Sequence, residues 1–228
     1  IDGLLIHFKS LFLINLEQLL DRLEIKNRHY VFQPLAANLL VVEPQDKEAG
    51  CALLDLGGWV SVSIFKDGEL QHFAIIEMGG EQITNDLTHG LRVKRDVANK
   101  VKEEFGATKA FIANKDEVIP LPNTASEDKY CLRRIVAEII EIRLEEILLA
   151  CREEINIQGY LHTLFSGVLL IGGGARIPGI DTFASHLLGI PARVGIPEGI
   201  AGEFSNPAWV TTLGLAKFGF ANFHKKYS

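Results

Sequence analysis

Apolar residues recur at helical spacing between residues 11 and 23 (Leu13, Leu16, Leu19, Leu20, Leu23), which predicts an amphipathic helix near the start of the chain. The run 29–32, closed by Pro34, predicts a short strand. Three apolar runs follow at 51–56, 59–65 and 70–76, separated by Gly57-Gly58 and Asp67-Gly68. The second alternates, with Val60, Val62 and Ile64 on one face and Trp59, Ser61, Ser63 and Phe65 on the other. Gly-Gly and Asp-Gly both favour the turns that close tight hairpins, so the three runs predict an antiparallel meander.

Beyond Gly79-Gly80 the period becomes helical, at 82–90 and again at 93–105, with Gly106 as a stop signal. An extended piece at 117–121 precedes the longest periodic segment, 128–156, a helix of roughly 40 Å. A compact strand at 166–171 runs into Gly172-Gly173-Gly174. Pro178 stands where a first-turn helix proline belongs, and 180–188 continues as helix. A short extended stretch at 192–194 and an apolar helix at 209–218 complete the pattern. The charge-rich stretches 99–105 and 141–154 mix both signs and read as solvated helix faces.

Composition narrows the class. A chain of 228 residues, 47% hydrophobic and 23% charged, makes one or two ordinary globular domains with a sizeable core. The net charge of -6 argues against a nucleic-acid-binding surface spread over the molecule, so no nucleic acid is expected as a partner. Cys51, Cys131 and Cys151 are odd in number and widely spaced, which suggests neither a disulfide framework nor a zinc site and fits a reducing cytosol. The histidines (His7, His29, His72, His89, His162, His186, His224) form no ligand spacing. The stretch 4–20 is interrupted by His7, Lys9, Ser10, Asn15, Glu17 and Gln18, so neither a membrane span nor a signal peptide is expected. The first residue is Ile1 and the one methionine is Met78, which suggests a fragment or a processed chain.

Two glycine turns carry candidate chemistry: Asp55-Leu56-Gly57-Gly58 between the first two strands, and Gly172-Gly173-Gly174-Ala175-Arg176-Ile177-Pro178-Gly179 after the later strand. Glycines there permit positive φ and let backbone N–H groups approach a phosphate or ribose. The second turn also leads to a helix N-terminus, which favours an anion. Nucleotide binding follows as a hypothesis; Gly57-Gly58 as a plain hairpin turn is the alternative. A dinucleotide fingerprint fails, because its third glycine would fall at Ile177. Asp55 ends an apolar strand and needs water or a partner, which a magnesium ion or its waters would provide.

The order of a three-strand meander, helices, then strand and helix, together with these turns, resembles the actin-like bacterial cell-division family FtsA. The residues that carry the resemblance are Cys51-Ala52-Leu53-Leu54-Asp55-Leu56-Gly57-Gly58, similar to the second phosphate motif, and the turn from Gly172 to Gly179, similar to the adenosine motif. Arg193-Val194-Gly195-Ile196-Pro197, Asn206-Pro207-Ala208 and Thr211-Thr212-Leu213-Gly214-Leu215 follow the family's closing segment and favour it over PilM or Hsp70. The resemblance implies an α/β fold, with an actin-like, ribonuclease-H-like subdomain at 1–78 and 157–228 and a smaller inserted α/β subdomain at 79–156. It also implies the second half of a longer molecule. The first phosphate loop would lie upstream of Ile1 and a membrane-targeting amphipathic helix downstream of Ser228.

The implied role is to bind ATP with Mg2+, polymerise into protofilaments, meet other divisome proteins, and tether FtsZ to the inner face of the cytoplasmic membrane through a segment outside this chain. The implied nucleotide residues are Asp55, Gly57, Gly58, Lys102, Gly172, Gly173, Gly174 and Ala175, with Asp55 reaching the metal through water. Arg143 matches an arginine that meets the acidic C-terminal tail of FtsZ, which in the family docks around 80–127 and the adjoining helix. The family pattern continues after Gly58 with a third glycine, a threonine and, two positions later, an aspartate; in this chain one glycine is missing and the next positions are Trp59, Val60 and Ser61. A weak or absent ATPase is therefore expected. Lys102 as a solvated lysine, Arg143 within a surface ion-pair set, and a nucleotide-free pseudo-actin, PilM-like or sugar-kinase-like protein are the alternatives.

Overall fold

The computed structural model describes residues 4–6, 10–26, 28–112, 114, 116–121 and 129–223. The amphipathic pattern at the start forms helix α1 (Ser10–Arg22), none of whose residues is buried. His7, His224 and residues 122–128 of the expected docking region lie outside the described residues.

The expected strand at 29–32 does not form. Those residues have no regular structure and lead into helix α2 (Gln33–Val41), in which Pro34 stands in the first turn and starts a helix instead of ending a strand. Phe32 caps it and sets its ring edge-on to Phe73 at 4.7 Å. A short helix α3 (Pro44–Ala49) follows.

The meander forms as expected: β1 (Cys51–Leu56), β2 (Val60–Lys66) and β3 (Glu69–Ile76), antiparallel in sequence. Asp67 (φ 52°) and Gly68 (φ 81°) form the two-residue turn joining β2 to β3, both in the left-handed region that such hairpins require. Next come α4 (Gly80–Leu91) and α5 (Arg95–Phe105). Strands β4 (Val118–Leu121) and β5 (Lys129–Leu132) pair antiparallel in a separate two-stranded sheet. The sequence pattern merges β5 into the long helix, which in fact begins five residues later than expected, as α6 (Arg133–Ile157).

Strand β6 (Val168–Ile171) lies parallel to β1, and β7 (Ala192–Val194) parallel to β6, with α7 (Ile180–Leu188) between them. The main sheet thus has the order β3-β2-β1-β6-β7, and α8 (Val210–Phe223) closes the described chain. Alternation sorts β1 between the two sheet faces. Ala52, Leu54 and Leu56 join the larger core with residues of α4 to α7, while Cys51 and Leu53 face α2 and Val210 of α8. The larger core also includes Ile119 and Leu121 of β4, so one apolar cluster runs under both sheets.

Candidate functional site

Strand β1 delivers Leu56 to a loop of three residues, Gly57, Gly58 and Trp59, because Leu56 pairs with Val60. The tight two-residue turn expected from Gly-Gly is not formed, and neither glycine has a left-handed φ. The close approach falls instead at Gly79, which packs on the carbonyls of this loop. Gly80 N donates to Gly57 O at 2.8 Å, and a Cβ at Gly79 would lie 2.5 Å from Gly58 O. The loop is thereby fastened to the start of α4, where Gly79 N donates to Gln82 Oε1 at 2.8 Å.

The second glycine turn packs against the first. Gly172 has φ +86°, and a Cβ there would stand 2.3 Å from Asp55 Oδ1. Gly174 abuts Leu56, whose Cβ a side chain would meet at 2.8 Å, whereas a Cβ on Gly173 would meet nothing within 4 Å. A single 3-10 turn (Gly173–Arg176) follows, and α7 begins only at Ile180 after Gly179 in the left-handed region. Pro178 therefore stands outside the helix instead of in its first turn. Its carbonyl accepts a bond from Thr108 N at 3.0 Å.

Between these turns and α5 opens a cavity of about 350 Å³, within the range of small-molecule clefts. Gly57, Gly58, Gly80, Gly173 and Gly174 line it with bare backbone, and Lys102 lies on the α5 side. Lys102 Nζ donates to Thr84 Oγ1 at 2.7 Å and Gly80 O at 3.1 Å, and burial holds its pKa below the ordinary lysine value. Arg133, Arg176, Glu103 and Glu104 also line the cavity; of these the sequence pointed only to Arg176, as part of the second glycine turn. Arg133 is spent on Phe105 O (3.0 Å) and Glu117 (3.0 Å); Arg176 is exposed in the 3-10 turn.

The remaining sequence candidates lie apart from the cavity lining. Ala175 is buried in the larger core. Asp55 points to the α2 and α8 side of the sheet, where Gln33 Nε2 donates to Oδ2 at 2.5 Å and Thr211 Oγ1 at 3.2 Å. Ser61 Oγ donates in turn to Gln33 Oε1 at 3.4 Å. Burial raises the Asp55 pKa, and the bonds from Thr211 and Gln33 partly oppose it. The partner this carboxylate needs is therefore present within the protein. Among the described residues, no group of three or more His, Cys, Asp or Glu side chains is placed to hold a metal. Arg143 lies on α6, paired with Asp86 of α4 and with Glu146.

Both glycine turns, Lys102 and Arg143 fall within residues 52–214, which match the family model of cell division protein FtsA. The chain belongs to the FtsA family. It is 33% identical over 224 residues to the FtsA of Bacillus subtilis (strain 168), covering 97% of this chain and 50% of that protein. The FtsA of Pseudomonas aeruginosa is 29% identical over 210 residues, 90% of this chain and 50% of that protein. This FtsA-family chain thus spans about half the length of the curated relatives it matches. Its fold is that of actin-like proteins. An MreB of Spiroplasma citri solved with AMPPNP superposes with a TM-score of 0.74 at 15% identity, over 96% of this chain and 67% of that one. A PilM–PilN type IV pilus biogenesis complex gives 0.68 at 16% identity, over 91% of this chain and 57% of that one.

Proposed function

We propose that this chain is the adenosine-facing half of an actin-like cell-division scaffold that binds ATP, polymerises, and tethers FtsZ to the inner face of the cytoplasmic membrane. The observation that supports it most is the convergence of Gly57-Gly58, Gly173-Gly174 and Lys102 on one cavity. The site fits the group: the lining glycines leave room that side chains would fill, and Lys102 offers a cation beside them. The Gly173 turn would receive the adenosine, Lys102 its ribose, and the Gly57 loop would approach the phosphates. Magnesium, when bound, offsets phosphate charge, and Asp55 would reach it through water. The opposite wall of the cleft belongs to the other half of the protein.

The phosphate loop favours a scaffold over an enzyme. Ser61 is the hydroxyl nearest in sequence to the expected threonine, and it is engaged by Gln33. Hydrolysis is accordingly slow or absent in this reading. Residues 79–156 form the inserted subdomain, and Arg143 on α6 receives the acidic FtsZ tail, a task suited to its planar fork. No described helix is long and apolar enough to cross a membrane.

The test is thermal melting of the protein at its full natural length with and without magnesium ATP. A ligand at a hundredfold excess over its Kd adds about 2.7 kcal/mol, a readily measured rise in Tm. No rise would favour the second reading, a nucleotide-free pseudo-actin, for which the internal partners of Asp55 are the specific observation.

A further inference from the structure

Strands β1 and β6 lie parallel, with Asp55 opposite Ile171, and both glycine turns leave from their carboxyl ends. Open α/β sheets take their ligands just outside such ends. Asp55 stands at that edge, half-buried, and its two oxygens are held differently. Oδ2 accepts from Gln33 Nε2 of α2 and from Thr211 Oγ1 of α8, the latter at 3.2 Å. No described residue donates to Oδ1. That oxygen lies between the two turns: a Cβ on Gly172 would strike it, and it is 4.0 Å from the Cβ position of Gly57.

A carboxylate turns readily about its last bond, which exchanges the two oxygens. Donors fixed on one oxygen oppose that rotation and keep the other on the ligand side. Of the two donors, Gln33 is shared: its Oε1 accepts from Ser61 Oγ at 3.4 Å, and its Nε2 also reaches Thr211 Oγ1 at 3.5 Å. The Thr211 hydroxyl has a single proton, and Asp55 is the acceptor that takes it. Its backbone is fixed as well. Val210, just before it, is fully buried in the smaller core with Ala37 and Leu53. Gly214, nearly one turn on, packs so closely on α2 that any side chain there would meet the Ala36 carbonyl.

We infer that Thr211 is a positioning residue for magnesium nucleotide: by holding Oδ2 it keeps the free Oδ1 of Asp55 at the junction of the two glycine turns. This rests on the reading that Asp55 reaches magnesium through water. The two threonines that open α8 then differ in role, because Thr212 is exposed and makes no hydrogen bond to the Asp55 cluster.

The test is equilibrium titration of a fluorescent ATP analogue into the full-length protein, with magnesium and with EDTA. The readout is the gain in affinity that magnesium brings. Thr211→Val keeps the shape and removes the donor; the gain is expected to fall about three- to tenfold, while affinity in EDTA stays within about twofold of wild type. Thr211→Ser restores the donor and is expected to restore the gain, and Thr212→Val is expected to change neither quantity. An undiminished gain in Thr211→Val, an equal loss with and without magnesium, or a Thr211→Ser variant as impaired as Thr211→Val would each overturn the inference. Asp55→Asn separates that failure from failure of the reading beneath it. If Asp55→Asn loses the gain and Thr211→Val keeps it, only the role of Thr211 falls. If Asp55→Asn keeps the gain, or the wild type shows none, the contact of Asp55 with magnesium falls and the inference with it.

Discussion

Lys102 on α5 reaches Thr84 on α4, its Nζ donating to the Thr84 hydroxyl at 2.7 Å while also meeting Gly80 O. Lys102 and Gly80 both line the cavity. Burial is the main cause of its lowered pKa, and the ordinary lysine value is 10.5. In the window just below 10.5 the unfolded chain keeps the lysine proton and the folded chain has lost it. Stability contributed by this residue therefore rises as pH climbs through that window. The thiols of Cys51 and Cys151, pushed up to about 12 by burial, act in the opposite direction, so wild type and Lys102→Met must be compared. The stability difference in favour of wild type is expected to grow with pH in denaturant melts; a constant difference would refute the assignment.

Gly172 and Gly173 are adjacent, yet their substitutions should separate stability from binding. At Gly172, φ +86° and the 2.3 Å approach to Asp55 make Gly172→Ala cost about 1–3 kcal/mol. At Gly173 a side chain meets nothing within 4 Å, so Gly173→Val should alter stability by no more than about 0.5 kcal/mol. Its side chain intrudes on the cavity, and nucleotide affinity is expected to fall on the order of tenfold. Paired melts and ATP titrations check both outcomes.

Asp55 gives a contrast between folding and ligand binding. Its pKa is raised from 3.8, first by burial, so its contribution to stability is fully present below 3.8 and is lost as pH rises through the folded value. Asp55→Asn keeps an acceptor for Gln33 and removes the buried charge. At neutral pH the variant should be as stable as wild type or more so, with the acid-side difference between them abolished. If Asp55 reaches magnesium through water, the same variant loses magnesium-dependent ATP affinity. Equal affinity in the presence and absence of the substitution would assign Asp55 to the Gln33 and Thr211 cluster alone.

The parts legible in the sequence were those governed by local pattern. Alternation from Val60 to Phe65 and the Asp67-Gly68 turn specify the meander, because period and turn chemistry act within a few residues. Helix α2 was missed because Gln33–Val41 is apolar on nearly every side and shows no polar face, so Pro34 read as a terminator. Strand β5 was missed because its four residues join the apolar period of α6 without a break. The glycine turns and Lys102 were visible as a site, but the partners of Asp55 were not. Gln33 and Thr211 lie 22 and 156 residues away, and only the packing of α2 against α8 brings them together. Asp86, 57 residues from Arg143, escaped notice for the same reason.

The shared core beneath both sheets should make the chain unfold as one unit. Ile140 of α6 is fully buried in that cluster, and its Cδ1 would lie 3.0 Å from a Cβ at Gly106. Ile140→Ala is expected to cost about 2–5 kcal/mol and to lower a single cooperative transition seen alike by far-ultraviolet circular dichroism and tryptophan fluorescence. Two separated transitions would show instead that the segment 79–156 folds independently.

Photo-cross-linking tests the nucleotide cavity most directly. The full-length protein is irradiated with an azido-adenine analogue of ATP, digested, and its labelled peptides mapped. Label is expected on the peptides carrying Lys102 to Gly106 or Gly173 to Pro178, competed away by ATP and reduced in Gly173→Val. Absence of ATP-competed label, or label confined to peptides away from this cavity, would contradict the assignment of an adenine nucleotide to the cleft between the two glycine turns and Lys102.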